Sequence, residues 1–280
     1  MPQLNIVLGG NDIHTNWFLH SQVTETGLLG SKPASVPIEE NHHLALSLEP
    51  IFSEPTRYRR LVGKLIYLTL TRPELNYSVH ILAQFMQNPS QAHWDAVMRV
   101  LRYLKGNPGQ GIYLRANASM TLEAYCDADW ASCPISRRSL TAYFVFLGGS
   151  PISWKTKKQD TVSRSSAEAE YRAMASATSE IIWLKGLLRS LGIDHPSVVP
   201  LHCDSQAALH IANNPVFHER TKHIEIDCHF VRDEIVRGTI APSYVNTAFQ
   251  LADILTKALG RSQFHCLLDK LGISRLHAPT

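Results

Sequence analysis

From residue 112 onward the hydrophobic pattern changes period in an order that few folds allow. Ile112-Tyr-Leu114 is a short extended piece, Leu122 to Cys126 is a strand, and Thr141 to Leu147 is a second strand closed by Gly148-Gly149. Pro151 to Lys155 is a third, after a hairpin-sized turn. Apolar residues then recur at helical spacing from Ser165 to about Ser190, with Gly192 just beyond. Ser165 and Glu168 have the spacing of a capping box at its start. Val198 to Cys203 is a fourth strand, and a short helix follows Asp204 with Ser205 as its cap. A further helix spans about Lys222 to Arg237 and stops at Gly238, and Ile240 to Val245 is a fifth strand. A last helix is expected from Thr247, with Thr247 and Gln250 as a second capping box. Elements in this order predict an α/β chain whose mixed sheet is covered by helices.

Upstream, residues 56–106 read as helical. Arg57, Arg59, Arg60 and Lys64 surround Leu61, Leu65 and Leu68, and Pro73 suits the first turn of a second helix with Thr71 as its cap. A third helix starts near Ser90, carries Trp94, Val97, Met98, Leu101 and Leu104 on one stripe, and ends at Gly106. Residues 1–55 have poor periodicity and turn-rich stretches, and read as a partly ordered lead segment. The expected organisation is therefore a lead segment to 55, a helical part over 56–110 and an α/β domain over 111–275.

Charge is unevenly placed. The net charge of +3 divides into −4 over residues 1–50, from five acids and Lys32, and +7 over the remaining residues. A basic body suits a polyanionic partner, although a solvated surface accounts for a charge this small about as well. The five cysteines, Cys126, Cys133, Cys203, Cys228 and Cys266, are odd in number and form no Cys-x-x-Cys, which argues against a disulfide framework or a structural zinc site. Reducing, intracellular surroundings (cytoplasmic or nuclear, not secreted) fit that usage. No opening signal peptide and no apolar run of membrane-spanning length are expected.

Four acids stand out against this framework: Asp127 in Cys126-Asp-Ala-Asp-Trp130, Glu170 in Ala169-Glu-Tyr171, Asp204 in His202-Cys-Asp-Ser205, and Asp253 in Ala252-Asp-Ile254. Glu170 falls on the stripe of Ala173, Met174, Ala177, Ile181, Leu184 and Leu188, which must face the sheet. A carboxylate there is costly unless something pairs with it, and a metal ion is one such partner. Glu168 is off the stripe and one turn from Arg172, so capping and an ion pair account for it. Asp127 and Asp129 share strand parity and are not separated by this reasoning. Asp204 and Asp253 each read equally as helix-start acids. Carboxylates gathered at strand ends can hold magnesium, and paired magnesium ions cleave phosphodiesters.

Several longer stretches carry a resemblance. Tyr58-Arg-Arg-Leu-Val-Gly-Lys-Leu-Ile-Tyr-Leu68, Thr71-Arg-Pro73, Val100-Leu-Arg-Tyr-Leu-Lys-Gly106, Cys126-Asp-Ala-Asp-Trp-Ala131, Arg137-Arg-Ser139, Ser153-Trp-Lys155, Ser163-Arg-Ser-Ser-Ala-Glu-Ala-Glu-Tyr171, Thr221-Lys-His-Ile224 and Ala252-Asp-Ile-Leu-Thr-Lys257 resemble the carboxy-terminal part of copia-type retrotransposon Pol polyproteins. The likeness runs from about residue 57 to about 275. It implies the tail of a reverse transcriptase, small, helical and thumb- or connection-like, followed by a ribonuclease H-like domain with a five-stranded mixed sheet and helices on both faces. Asp127, Glu170, Asp204 and Asp253 match that family's four catalytic, metal-binding acids, which selects Asp127 over Asp129.

The activity so implied is hydrolysis of the RNA strand of an RNA–DNA hybrid with two magnesium ions (Mg2+), Asp127 bridging them. Glu170 and Asp204 would hold the ion on the leaving side, and Asp253 the ion that activates water. Arg137, Arg138, Lys155, Lys157 and Lys158 are the candidate phosphate contacts. No Tyr-x-Asp-Asp motif occurs, so polymerisation is not expected of this chain unaided, and a polymerase palm acting in trans is a conceivable partner. The stretch Ser243 to Phe249 lacks the histidine that retroviral relatives carry there; His223 and His229 lie nearby without an assigned role. Ala131-Ser132 stands where Ala-Gly is usual after the tryptophan, which is expected to stiffen that turn. The rival reading is a catalytically inactive remnant that at most binds nucleic acid or a polymerase partner. An integrase-type nuclease is disfavoured, because such sites place no acid on the first long helix.

Overall fold

Elements form where apolar periodicity meets a cap or a breaker. In the computed structural model, the described residues are 6–8, 21–115, 119–214 and 225–275. The chain divides into two units, one from residues 1–116 with 257–280 and the other from 117–256.

The first unit begins with strand β1 (Ile6–Leu8) and continues with helix α1 (Pro55–Leu68), which starts on a proline and buries Tyr58, Leu61, Val62, Leu65 and Leu68 along one stripe. Pro73–Leu75 form a 3-10 turn into α2 (Asn76–Ala83), and no side-chain cap precedes that turn. Helix α3 (Gln91–Gly106) opens with a capping box in which His93 takes the reciprocal place, Nδ1 accepting the Ser90 N–H at 2.7 Å. Val97, Val100, Leu101 and Leu104 are buried on it, whereas Trp94 and Met98 are half-buried. Trp94 stacks instead on Phe52, with centroids 4.5 Å apart. Lys105 Nζ donates to the carbonyls of Leu28 at 3.0 Å and Ser31 at 2.7 Å, tying residues of the lead segment to α3. Strand β2 (Gln110–Leu114) follows and pairs with β1.

The second unit carries the large sheet. Strands β3 (Leu122–Asp129), β4 (Leu140–Leu147) and β5 (Ser150–Lys158) form an antiparallel meander. The long helix α4 (Ser166–Ser190) crosses over to β6 (Val199–Cys203), which lies parallel to β3 on its free edge. Helices α5 (Gln206–Asn213) and α6 (Glu225–Val236) lead to β7 (Ile240–Tyr244), parallel to β6. The order is β5-β4-β3-β6-β7. Pro242 is accommodated because β7 is an edge strand. This is the ribonuclease H-like five-stranded mixed sheet that the resemblance implies.

Alternation assigns the faces. Ala124, Cys126, Ala128, Tyr143 and Val145 join Ala169, Ala173, Met174, Ala177 and Ile181 of α4 in one core. Asp127 pairs with Ala142, which pairs with Thr156, and so these three point to the other face. There the four-residue helix α7 (Asp253–Thr256) lies, with Thr156 Oγ1 donating to the Leu255 carbonyl at 3.1 Å. Helices therefore cover both faces.

Helix α8 (Arg261–Lys270) and strand β8 (Ile273–Arg275) return to the first unit, where β8 pairs antiparallel with β2. This corrects the expected domain limits of 111–275. Residues 111–116 and 257–275 group with the helical part, because β2 finds its partners in β1 and β8 and not in the large sheet. The last helix is corrected as well. In place of one helix from Thr247 there is a 3-10 turn at Thr247–Phe249, then α7, then α8. No helix among the described residues is long and apolar enough to cross a membrane.

Candidate metal centre

Strands β3 and β6 run side by side in the same direction, so residues at their carboxyl ends open toward one end of the sheet, where open α/β sheets place their ligands. Asp127 is the sixth residue of β3 and only 1% exposed. Asp204 directly follows β6 and is half-buried. Glu170 comes from the first turns of α4 at 6% exposure, and Asp253 opens α7 at 1%. Ligand atoms of Asp127, Asp204 and Asp253 lie within 4.8 Å of one another, and so do those of Glu170, Cys203 and Asp204. Asp204 is common to both groups, whereas the resemblance gives the shared place to Asp127. Asp129 belongs to neither.

Hydrogen bonds hold these acids in place. Thr256 Oγ1 donates a short hydrogen bond to Asp127 Oδ2. Thr247 Oγ1 donates to Asp204 Oδ2 at 2.8 Å. Gln250 is fully buried; its Nε2 donates to the Cys126 carbonyl at 3.0 Å and its Oε1 accepts the Ala252 N–H at 3.1 Å. That clamp fixes the start of α7 against β3 and brings Asp253 beside Asp127. Sequence reasoning missed all three residues. Thr247 and Gln250 have the spacing of a capping box, yet Asn246 Oδ1 caps the turn, accepting from Ala248 N at 2.9 Å. The available signal was Thr256, three residues after Asp253 and so on the same helical turn.

At α4, Ser165 Oγ accepts the Glu168 N–H at 3.1 Å as expected, but Glu168 reaches back to the N–H of Arg164, at 2.7 Å, and not to that of Ser165. The expected box is thus half formed. Glu168 also pairs with Arg172 at 2.8 Å, which leaves Glu170 as the acid aimed into the cluster.

Electrostatics set Glu170 apart. Burial, then Asp127, Cys203 and Asp204, push its carboxyl up to about 10, against one opposing backbone hydrogen bond from Ala128. Among the described residues it has no ion-pair partner. Four oxygen-donor side chains converging from four elements, one of them with its carboxyl pushed up first by burial and then by its neighbours, suit a hard divalent cation.

Of the five candidate phosphate contacts, Lys155, Lys157 and Lys158 line one groove of about 490 Å³ beside α4, together with Arg172. Lys157 also pairs with Asp160 at 3.1 Å, and Lys158 Nζ lies 3.0 Å from Cys133 Sγ. Arg137 and Arg138 are exposed in the loop between β3 and β4 and do not line that groove. In the same loop Ala131 adopts φ 52, a left-handed conformation that side chains disfavour, with its N–H donated to Ser139 Oγ at 3.0 Å. His223 lies outside the described residues, and His229 is an exposed residue 4.0 Å from Glu225.

The chain is 44% identical over 91% of its length to a retrovirus-related Pol polyprotein from transposon RE2 of Arabidopsis thaliana. It is 34% identical over 87% of its length to that from transposon TNT 1-94 of Nicotiana tabacum. It spans only 17% and 19% of those relatives. No protein-family model matches. Among solved structures, the amino-terminal RNase H domain of Rv2228c from Mycobacterium tuberculosis superposes with a TM-score of 0.37 at 12% identity, covering 54% of this chain and 98% of that one. At that score the fold rests on the chain's own strand order.

Proposed function

The chain belongs to the retrovirus-related Pol polyproteins of transposons, and from that premise we propose that its five-stranded unit is a metal-dependent endonuclease, of copia type, that hydrolyses the RNA strand of RNA–DNA hybrids. The observation that carries the reading is the convergence of Asp127, Glu170, Asp204 and Asp253 from β3, α4, the end of β6 and α7. Asp127, Asp204 and Asp253 would hold one magnesium ion, and Glu170 with Asp204 the other. When bound, the two cations supply an activated water and stabilise the charge that develops on the phosphate. The protein's part is to position and to organise charge. Thr256 and Thr247 fix the carboxylates of Asp127 and Asp204 before any ligand arrives, so little reorganisation is needed during reaction. No side chain has to serve as covalent nucleophile.

Lys155, Lys157 and Lys158 would grip phosphates along the groove, and selection of RNA would come from its 2′-hydroxyls and groove shape. The test is incubation of the purified chain with labelled hybrid, with and without magnesium, beside single-stranded RNA and duplex DNA. Magnesium-dependent cleavage of the hybrid's RNA strand, abolished in Asp127→Asn and Asp204→Asn, is the expected result. Cleavage that persists in either variant removes the assignment, and absence of cleavage with retained hybrid binding leaves only a binding module.

A further inference from the structure

Away from the acidic cluster, one thiol lies in direct contact with a lysine amine. Cys133 belongs to the loop between β3 and β4, and Lys158 ends β5. The loop reaches that strand because Lys158 pairs with Leu140 and the Gln159 N–H is donated to the Ser139 carbonyl at 2.9 Å. Within the loop the Cys133 carbonyl accepts the Arg137 N–H at 2.8 Å, and the Cys133 N–H is donated to the Arg138 carbonyl at 3.4 Å, which fixes the residue. Lys158 Nζ then donates to Cys133 Sγ at 3.0 Å. Cys133 is buried, but Ser132, Pro134 and Ile135 beside it are exposed, so a solute as small as a peroxide has a short route to the sulfur.

An ammonium against sulfur favours the thiolate, the form that attacks. Burial raises the Cys133 thiol, yet Lys158, Ser136 and backbone amides bring it down to about 7. A hydrogen bond with Cys203, then burial, push the Cys126 thiol well up, and burial pushes up that of Cys228. Reactivity is therefore concentrated where the amine is.

We propose that Cys133 and Lys158 are a covalent modification site, at which a peroxide converts their contact into a sulfenamide cross-link. The thiolate attacks one peroxide oxygen, the O–O bond breaks, and the departing hydroxide takes a proton from the Lys158 ammonium to leave as water. Sulfenic acids condense with neighbouring nitrogens. The neutral Lys158 amine attacks the sulfur, the S–N bond forms, the S–O bond breaks, and a second water leaves with a lysine proton. Thiolate, ammonium and hydrogen peroxide thus give sulfenamide and two waters, sulfur losing two electrons and peroxide gaining them. The link staples the loop to β5 and abolishes the positive charge of Lys158. Its consequence for hybrid binding rests on the nuclease reading above, in which Lys158 grips phosphate.

The test is mass spectrometry of the full chain after hydrogen peroxide, with and without dimedone to trap sulfenic acid, beside Lys158→Arg and Cys133→Ser. Without dimedone the unmodified chain should lose two hydrogens and yield peptides joined through Cys133 and Lys158, which dithiothreitol releases. Lys158→Arg keeps a cation beside the thiolate but lacks the amine. It should give at least tenfold less cross-link, and a dimedone adduct on Cys133 in its place. Cys133→Ser should give no cross-link; if circular dichroism shows that variant unfolded, the other two proteins decide. An unmodified chain whose Cys133 does not react, or stops at the sulfenic acid, overturns the proposal. Hybrid binding by the cross-linked chain should fall and recover with dithiothreitol; binding that does not change overturns the stated consequence. A chain that forms the link but does not cleave hybrid keeps this site and loses the nuclease reading. A chain that cleaves and forms no link does the reverse.

Discussion

The proton on Glu170 offers a quantitative test of the metal centre. Burial and the neighbouring acids push its carboxyl up to about 10, against 4.5 in an exposed glutamate. Between those values the folded, metal-free protein holds a proton that the unfolded chain releases, so stability falls as pH rises above 4.5. From there to pH 7 is about two and a half pH units, each worth about 1.4 kcal/mol, a cost of about 3 kcal/mol. Glutamine has nearly the same shape and carries no ionisable proton. Glu170→Gln should therefore stabilise the metal-free protein by about 3 kcal/mol at pH 7 and by almost nothing near pH 4. The assay is urea unfolding in a chelator across that range. Tryptophan fluorescence is a suitable signal, because Trp130, Trp154 and Trp183 all lie in the unit that carries the site. Adding magnesium at about a hundred times its Kd for the Glu170 side should stabilise the unmodified protein by about 2.7 kcal/mol more than the variant, which keeps the group of Asp127, Asp204 and Asp253. A variant less stable than the parent at pH 7 without metal, or a difference that does not change with pH, would falsify the charge argument.

Three further outcomes follow from named contacts. Thr256→Val removes the hydroxyl that donates to Asp127 and should cost about 2 kcal/mol by the same unfolding assay; an unchanged midpoint would show that this bond holds nothing. Lys157→Ala with Lys158→Ala should weaken hybrid binding and flatten the slope of log K against log salt by about 1 per lost phosphate contact, and an identical slope removes both from the interface. Burial works to raise the Cys133 thiol, but Lys158, Ser136 and backbone amides outweigh it and hold it down at about 7. Iodoacetamide labelling of Cys133 should thus rise through a midpoint near pH 7, and Lys158→Met should move that midpoint upward; a midpoint unmoved by the variant rules out the lysine as cause.

The sequence made the sheet legible because its strands alternate and its long helix is amphipathic, two signals written in local spacing. Glu170 is set apart from Glu168 by partners and not by burial: both are buried, and Glu168 reaches Arg172 and the Arg164 N–H. Asp127 and Asp129 were not separable, since strand parity is blind to which of two like residues meets a neighbour. The segment from Thr247 to Thr256 was misread because its local pattern favours a helix, while its conformation is decided far away along the chain. Gln250 bonds the Cys126 carbonyl and Thr256 bonds Asp127, and those long-range hydrogen bonds outweigh propensity. Cys203 closes an apolar strand and is fully buried, but spacing alone could not reveal that its sulfur faces Glu170.

The pairing of β8 with β2 also orders events during synthesis. Residues 117–256 are one uninterrupted stretch, so that unit is complete on the ribosome once Thr256 has emerged. Its host must wait until Ile273–Arg275 can reach Gln110–Ile112, more than 150 residues earlier in translation by about ten seconds or more at ordinary elongation rates. The guest can thus mature inside a host that is still unfinished, and the nascent β2 edge stays open for that interval.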